Sequence, residues 1–417
     1  MRIPFRFAPR SKWGNPWPVV LLLAIALSAL AMASSIGAVP ISWRDWLTPL
    51  HGENTGNSYV LWELRLPRTL LALLAGGMLG VAGALAQGLF RNPLADPGLL
   101  GVNSGAACAA ALTIVFADSL PWAWPTGLRP WLLPLAAFVG ALLVCFTLDS
   151  VARWITPGSI AGLLLTGIAL NAIAVAVLGL CTYLSTDEQL RSLSFWTLGS
   201  LAGAGWAIVG VALLMLLLAT WQIRRLARAM NALALGEAAA AHVGIEVETL
   251  RARTILMVAL LVGATVAWCG MISFISLIAP HLVRTLHGSD QRRVLPLSIV
   301  FGGLLLLIAD TLARTLATPA EIPVGIFTAL LGGPFFLMLL TQTRERMNPA
   351  TINLINQPLL VMEAASLRLG RHHFGPYTLT LHAGERVAVL GPSGAGKSTL
   401  LKLASRELHH SGGHISL

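Results

Sequence analysis

Charged side chains are scarce in this chain of 417 residues. Only 11% of its residues are Asp, Glu, Lys or Arg, whereas soluble domains carry about 25%. Hydrophobic residues make up 56% of the sequence, and the mean hydropathy is +0.75. The shortage of charge excludes an ordinary soluble globular protein and predicts a chain that crosses a membrane several times.

Acidic residues and cysteines are also few. The formal net charge is +10, but the basic residues fall mainly between apolar runs, which is typical of membrane topology and not of a nucleic-acid surface. We therefore expect no nucleic-acid partner. The four cysteines have no CxxC spacing and lie within or at the ends of apolar runs. They are predicted to be small buried side chains, without a disulfide or metal role.

Apolar runs predict about ten transmembrane helices in an all-α, polytopic membrane domain. An even number places both termini on one side, and the basic N-terminal tail predicts that this side is cytoplasmic. The first run is longer than a signal-peptide core, so we interpret it as an uncleaved helix. The predicted spans are 17–39, 64–90, 99–117, 131–153, 159–184, 205–223, 252–270, 271–287, 294–316 and 322–341.

The segment from Leu64 to Ala106 organises the chain. Its apolar run is rich in Gly and Ala, which allow close helix packing where burial against lipid gives no driving force. The segments 64–184 and 252–341 would each supply four spans and begin on opposite sides. This arrangement suggests an inverted repeat around a path at the midplane.

Two blocks of the chain resemble the FecCD family. The first is LRLPRTLLALLAGGMLGVAGALAQGLFRNPLADPGLLGVNSGA at 64–106, and the second contains ISFISLIAPHLVR, ADTLAR and AEIPVGIFTALLGGPFF between 271 and 340. The resemblance covers roughly residues 15 to 345. It implies the permease of a binding-protein-dependent ABC importer in the bacterial inner membrane, working as a homodimer with a periplasmic substrate-binding protein and an ABC ATPase. Ferric siderophores are the expected cargo, with haem or cobalamin as alternatives.

The resemblance implies roles for residues at both membrane faces. Arg65, Arg68 and Arg314 match arginines that meet acidic residues of the binding protein, as expected of charges that steer encounter. They could instead anchor helix ends, or Arg314 could pair with Asp310. Asn92 and Leu94 match the family's cytoplasmic gate, although the two prolines of this loop also predict a plain turn held by the Asn side chain.

The longest cytoplasmic loop, Arg224 to Arg253, contains NALALGEAAAAHVG and resembles the family's ATPase-coupling loop. The alternative is a connecting loop without a partner. The expected coupling residues are Leu235, Gly236, Glu237, His242, Val243 and Gly244.

Four polar side chains lie within apolar runs, and we expect hydrogen bonds between helices for them rather than contacts with substrate. They are Gln87, Asn103, Asn171 and Asp310.

After Arg346 the composition becomes that of a soluble protein. We expect a permease domain at 1–346, a linker at 347–358 and, at 359–417, the beginning of an α/β P-loop NTPase domain. A strand at Arg386–Leu390, the P-loop GPSGAGKST and a helix at Thr399–Glu407 give the required context. In it, backbone amides and Lys397 would bind phosphate and Ser398 would ligate Mg²⁺. The expected nucleotide-binding residues are Gly391, Ser393, Gly394, Gly396, Lys397, Ser398 and Thr399.

This segment resembles the start of an ABC-transporter ATPase, which implies ATP and Mg²⁺ as cofactors. The sequence ends before a signature motif, a Walker B motif or a switch histidine, so ATP hydrolysis is not expected from these residues alone. Either the sequence is a fragment of a permease–ATPase fusion, or the permease uses a separate ATPase. A third interpretation is an orphan membrane receptor. Phe374 and Tyr377 are the candidates to stack on adenine.

Overall fold

The structure, a computed structural model, describes most of the chain. Its residues form two compact units, Met1–Gly333 and Pro334–Leu417. The described residues are 17–51, 56–117, 125, 127–157, 159–318, 320–346, 358–369, 372–382, 385, 387–389, 396–405, 407–409 and 411–416.

The described part of the first unit is helical. A helix lies at each of the ten predicted places, and six helical stretches are long and apolar enough to cross a membrane. The elements are α1 (Trp17–Ser35), α2 (Trp43–His51), α3 (Gly56–Tyr59), a π-helical segment (Val60–Arg65), α4 (Leu66–Leu89), a 3-10 turn (Pro97–Leu100), α5 (Val102–Phe116), α6 (Arg129–Ile155), α7 (Ile160–Leu184), α8 (Asp187–Thr197), α9 (Trp206–Ala234), α10 (Glu237–His242), α11 (Val247–Cys269), α12 (Ile275–His287), α13 (Gln291–Thr315) and α14 (Val324–Arg346). Residues of α14 up to Gly333 belong to this unit.

Helix α4 lies at the centre of the first unit, as its small residues predict. Within its most apolar stretch 83% of the residues are buried, against 17% for α7. A Cβ atom added at Gly302 of α13 would lie 3.0 Å from the Cα of Gly80, and one added at Gly80 would lie 3.0 Å from the carbonyl carbon of Ser298. The backbones of α4 and α13 approach closely because these positions carry no side chain.

The chain turns between α11 and α12, near the predicted position. Gly270 has a φ of +66°, a conformation that glycine adopts without strain. Helix α12 has only 13 residues, so it rises about 20 Å. That length is short of the roughly 30 Å of a bilayer's hydrocarbon core. The predicted span 271–287 is therefore helical only in its second part, because residues 271–274 form a non-helical stretch before α12 begins at Ile275.

Helix α8 is a feature that the apolar runs did not predict. It begins with a capping box in which the Thr186 hydroxyl accepts the Gln189 N–H and the Gln189 side chain accepts the Thr186 N–H. A second Gln189 bond, from Nε2 to the carbonyl oxygen of Val115 at 3.2 Å, ties α8 to the end of α5. Capping and amphipathic character form this helix, so hydropathy alone does not reveal it.

The second unit contains a three-stranded antiparallel sheet and one described helix outside α14. The strands β1 (Pro358–Leu369), β2 (His372–His382) and β3 (Gly412–Ser416) lie in the order β2-β1-β3. Helix α15 (Lys397–Ala404) packs Leu403 into the core of the sheet. The predicted helix at Thr399–Glu407 is present, although it begins and ends earlier.

The strand predicted at Arg386–Leu390 is wrong for its described residues. Positions 387–389 have no regular structure, and Val387 is exposed. An apolar run becomes a buried strand only when neighbouring strands offer backbone partners. The described strands of this unit pair with one another, and none pairs with 387–389. The linker residues 347–357, like Arg386 and Leu390, lie outside the described residues.

Candidate functional site

A cluster of charges joins α4 to α13 at one end of the first unit. Arg68 donates from Nε to both carboxylate oxygens of Asp310, at 3.1 and 3.2 Å, and from Nη2 to Oδ1 at 2.9 Å. Its Nη1 donates to Glu321 at 2.8 Å. The Arg68 side chain is 13% exposed, that of Asp310 is fully buried, and that of Glu321 is 50% exposed. Glu321 therefore provides the accessible carboxylate of the cluster.

Arg65 and Arg314 bond to the end of α1. Arg65 donates to the carbonyl oxygens of Ser35 at 3.2 Å and Val39 at 2.7 Å. Arg314 donates to Ile36 at 2.7 Å and also to Ala33. The last carbonyl groups of a helix have no hydrogen-bond partner within it. Positive charges there also interact favourably with the negative end of the helix dipole. The structure thus brings the three predicted docking arginines to one end of the bundle, in anchoring contacts; their docking role stays a prediction.

The predicted pairing of Arg314 with Asp310 is present, with Nε 3.8 Å from Oδ2. Three guanidinium groups and two carboxylates share this end, so the cluster, defined here as Arg65, Arg68, Asp310, Arg314 and Glu321, keeps one net positive charge. We call these five residues the outer charge cluster, after the side of the membrane that the sequence predicts for them.

The turn after α4 lies at the opposite end. Asn92 Oδ1 accepts the N–H of Leu94 at 2.9 Å, which is the side-chain turn expected as the alternative to a gate. Asp96 caps the following 3-10 turn through the Gly98 N–H at 2.7 Å, and it accepts the Ser276 hydroxyl at 2.6 Å. The Asp96 bond fixes this turn to α12. No local sequence pattern indicates this bond, because the partners are 180 residues apart.

The predicted coupling loop forms α10 between two glycines with positive φ, Gly236 at +114° and Gly244 at +82°. The Glu237 carboxylate accepts a bond from Arg251 of α11 at 3.0 Å, which holds α10 against that helix. His242 Nδ1 lies 2.6 Å from the carbonyl oxygen of Ala238. Leu235 is 81% exposed and Val243 is 69% exposed. Two large apolar side chains therefore project from a braced loop.

A second brace holds the same end of the bundle. Asn231 of α9 donates to Asp290 at 2.6 Å and accepts the Gln291 N–H at 2.8 Å. Asp290 also accepts the Arg292 N–H at 3.0 Å as the N-cap of α13. Burial raises the pKa of this carboxyl, but the bonds from Asn231 and Arg292 and the charges of Arg292 and Arg293 outweigh it, so the pKa lies below its usual value.

Two of the four membrane polar residues form the predicted bonds between helices. Asp310 bonds to Arg68, and Gln87 of α4 accepts a bond from Arg284 of α12. The Oδ1 of Asn103 is buried and has no partner in the described part of the chain. Asn171 instead lies on an exposed face of α7.

The structure describes some of the predicted nucleotide-binding residues. Gly391, Ser393 and Gly394 lie outside the described residues. Gly396 precedes Lys397, Ser398 and Thr399, which form the first turn of α15. A Cβ at Gly396 would lie 2.7 Å from Tyr377 Oη and 2.9 Å from Phe374 Cδ1, so both aromatic side chains lie beside the P-loop end. A helix N-terminus with a lysine fits phosphate, and the Ser398 hydroxyl fits one ligand position of Mg²⁺.

Two segments of the chain match known protein families. Residues 20–342 match the FecCD transport family. The chain belongs to this family. Residues 374–417 match the ABC transporter family. The resemblance found in the sequence is therefore confirmed for both segments.

Three curated relatives match this chain over nearly their whole length. The hemin transport system permease HmuU of Yersinia pestis is 44% identical over 332 residues, 78% of this chain and 95% of that protein. The Fe(3+) dicitrate permease FecD of Escherichia coli is 38% identical and matched over 99% of its length, and the vitamin B12 permease BtuC of Pectobacterium atrosepticum is 39% identical over 94%. Each of these two matches spans 78% of this chain.

A solved structure of a metal-chelate type ABC transporter, in an inward-facing conformation, has the same fold. It superposes with a TM-score of 0.67 at 30% sequence identity, covering 79% of this chain and all of the other. The FecCD chain is thus a multi-span permease of a metal-chelate type ABC importer. Permeases of such importers work with a substrate-binding protein and an ATPase.

Proposed function

We propose that this FecCD permease carries an iron-containing chelate from the periplasm to the cytoplasm, with both termini cytoplasmic. One observation carries the orientation and the coupling to an ATPase. The end of the bundle opposite the outer charge cluster presents Leu235 and Val243 on a loop braced by Glu237 and Arg251. Two apolar side chains exposed together on one short loop favour a protein contact there. An ATPase subunit or domain is the partner this loop fits.

Haem is the first cargo to test, and ferric siderophore is the second. The relative at 44% identity transports hemin, whereas the ferric dicitrate and vitamin B12 permeases share 38% and 39%. A host that lacks its own FecCD permeases should take up radiolabelled haem only when it expresses this chain with its partner proteins. Ferric dicitrate and cobalamin, offered in parallel, give the competing outcomes. Uptake of ferric dicitrate alone would favour the siderophore, and uptake of cobalamin alone would overturn an iron cargo.

We propose that the substrate-binding protein docks on the outer charge cluster. The cluster carries one net positive charge, and Arg68 is held at its surface by Glu321. A carboxylate from the partner could replace Glu321 on Arg68, since both would accept the same guanidinium hydrogen bonds. Glu321→Gln should therefore leave docking intact, whereas Arg68→Gln should weaken it. Binding is measured with vesicles that carry the permease and with the cargo-loaded binding protein.

We further propose that Asn92 and Leu94 close the cytoplasmic end of the path. The turn that carries them is tied to α12 by Asp96 and Ser276, so its position follows that helix. Asn92→Ala removes the bond to Leu94 and should raise cargo leak in vesicles without ATP. Wild-type leak in that variant would overturn the gate.

A homodimer with the path on its axis is the proposed assembly. Helix α7 is long and apolar, and its most apolar stretch is only 17% buried. Asn171 lies on the exposed side, near the middle of the helix. A polar side chain that faces a wet cavity costs less than one that faces lipid. Replacing Asn171 with Cys should allow labelling by a water-soluble thiol reagent in the dimer, and protection from it would place α7 against lipid.

We propose that an ABC ATPase, either fused to this chain or separate, binds the ATP and Mg²⁺ that drive transport. Lys397, Ser398 and Thr399 would contact phosphates, with Ser398 offering its hydroxyl to the metal. Lys397→Gln should abolish nucleotide binding by the full chain if this segment takes part. Unchanged binding and transport would assign the nucleotide site to another subunit.

A further inference from the structure

A cleft between α9 and α11 opens at the end of the bundle that carries α10. Its volume is about 680 Å³. Apolar side chains form its wall, and polar and charged side chains gather toward the coupling loop. The wall includes Met215, Leu218, Leu256 and Leu260, and the polar group is Gln222, Arg225, Glu246, Thr249 and Arg253.

The cleft lies at the depth of a membrane surface. The indole of Trp206, at the other end of α9, bonds to the carbonyl oxygen of Trp62 near the outer charge cluster. Arg225 follows 19 residues later, so about 28 Å of helix separates the two positions. That distance is close to the thickness of the hydrocarbon core. Arg225 and Trp221 therefore lie where the core meets the head groups.

The charges of the cleft favour an anion. Two guanidinium groups and one carboxylate line it, which leaves one net positive charge. Arg225 lies over the ring of Trp221, with its Cζ 4.2 Å from the centroid, and this contact orients the guanidinium. Neither Arg225 nor Arg253 forms an ion pair with any residue that the structure describes, and both are exposed.

We propose that this cleft binds an anionic phospholipid of the cytoplasmic leaflet. Arg225 and Arg253 hold the phosphate diester, and the acyl chains lie along the apolar walls of α9 and α11. Basic pockets between transmembrane helices on the cytoplasmic side have the chemistry that such head groups require. The polar-to-apolar order of the lining matches a lipid and not a soluble anion. The site rests on the orientation given under the proposed function, but not on the cargo.

The bound lipid would connect the two helices that flank the coupling loop. Helix α9 ends immediately before α10, and α11 begins soon after it and carries Arg251, the partner of Glu237. An anionic lipid that spans α9 and α11 therefore fixes the base on which α10 stands. A zwitterionic lipid carries no net negative charge for Arg225 and Arg253 to bind.

The test uses the full chain in phosphatidylcholine vesicles that contain a photoactivatable phosphatidylglycerol. We expect labelled peptides from 215–226 and 245–261. The double variant Arg225→Gln, Arg253→Gln should lower labelling roughly thirty-fold, because each basic residue near a membrane surface contributes about a five-fold change in lipid affinity. The matched control, Arg224→Gln with Arg228→Gln, removes the same charge from exposed positions of α9 outside the cleft, and it should label as the wild type does.

Equal loss in both double variants would overturn the site, because it would show general surface attraction. Equal labelling of the wild type by a photoactivatable phosphatidylcholine would also overturn it, because the head-group charge would not matter. This second comparison needs no variant, so it stands even if a double variant fails to fold. Neither outcome depends on transport, so a failure here is separate from a failure of the proposed function.

Discussion

Arg68 and Asp310, 242 residues apart in sequence, meet through three hydrogen bonds between one guanidinium and one carboxylate. Removing one partner of a buried ion pair typically costs about 3–5 kcal/mol, because the other charge stays buried. We expect Asp310→Asn to destabilise the permease by an amount of this order. Thermal unfolding in detergent measures it.

The control for this pair is Glu321→Gln in the same cluster. Its side chain is half exposed, and exposed ion pairs contribute about 0–1 kcal/mol. Equal loss of stability in both variants would mean that burial does not determine the contribution of these charges.

Gly80 of α4 is expected to tolerate no side chain. A Cβ there would lie 3.0 Å from the backbone carbon of Ser298, and a backbone cannot move aside as a flexible side chain can. Gly80→Ala should sharply reduce the yield of folded protein. Gly210→Ala in α9 is the matched control, because a Cβ at Gly210 meets nothing within 4 Å. There the substitution should be neutral or stabilising by up to about 1 kcal/mol. Fluorescence-detected gel filtration measures both yields.

Substitutions in the predicted coupling loop should weaken ATPase binding without lowering the stability of the permease. Leu235→Ala with Val243→Ala removes exposed apolar surface and should leave thermal unfolding unchanged. Burial of such a side chain against a partner contributes roughly 1.5–3 kcal/mol, so affinity for the ATPase should fall at least about ten-fold. Leu217→Ala, an exposed apolar residue of α9 outside this loop, is the control. Unchanged ATPase affinity in the double variant would remove the loop from the contact.

Asp290 should make the bundle more stable at neutral than at acidic pH. Its folded-state pKa lies below the usual value, so the folded protein binds fewer protons than the unfolded chain. The Asp290 carboxylate therefore contributes its full stabilisation above the unfolded-state pKa of about 3.9. This stabilisation is lost as the pH falls through the lower folded-state pKa. Asp290→Asn should be less stable than the wild type at pH 7, with a smaller difference at pH 3. A constant difference would contradict this role.

The sequence predicted the helices well because each apolar run carries its own signal. The packing of α4 followed from its small residues in the same way. The bonds of Asp96 with Ser276 and of Asn231 with Asp290 join residues far apart in sequence, so no local pattern indicates them. Helix α8 depends on a cap and not on hydropathy, and the strand expected at 386–390 required partners that its own residues cannot provide.

The side chain of Arg91 reaches the start of the coupling loop. A Cβ at Gly236 would lie 3.9 Å from Arg91 Nη1. The turn after α4 therefore lies directly beside the start of the predicted coupling loop. If an ATPase moves α10, as proposed, Arg91 is the side chain of this turn that lies nearest to that motion.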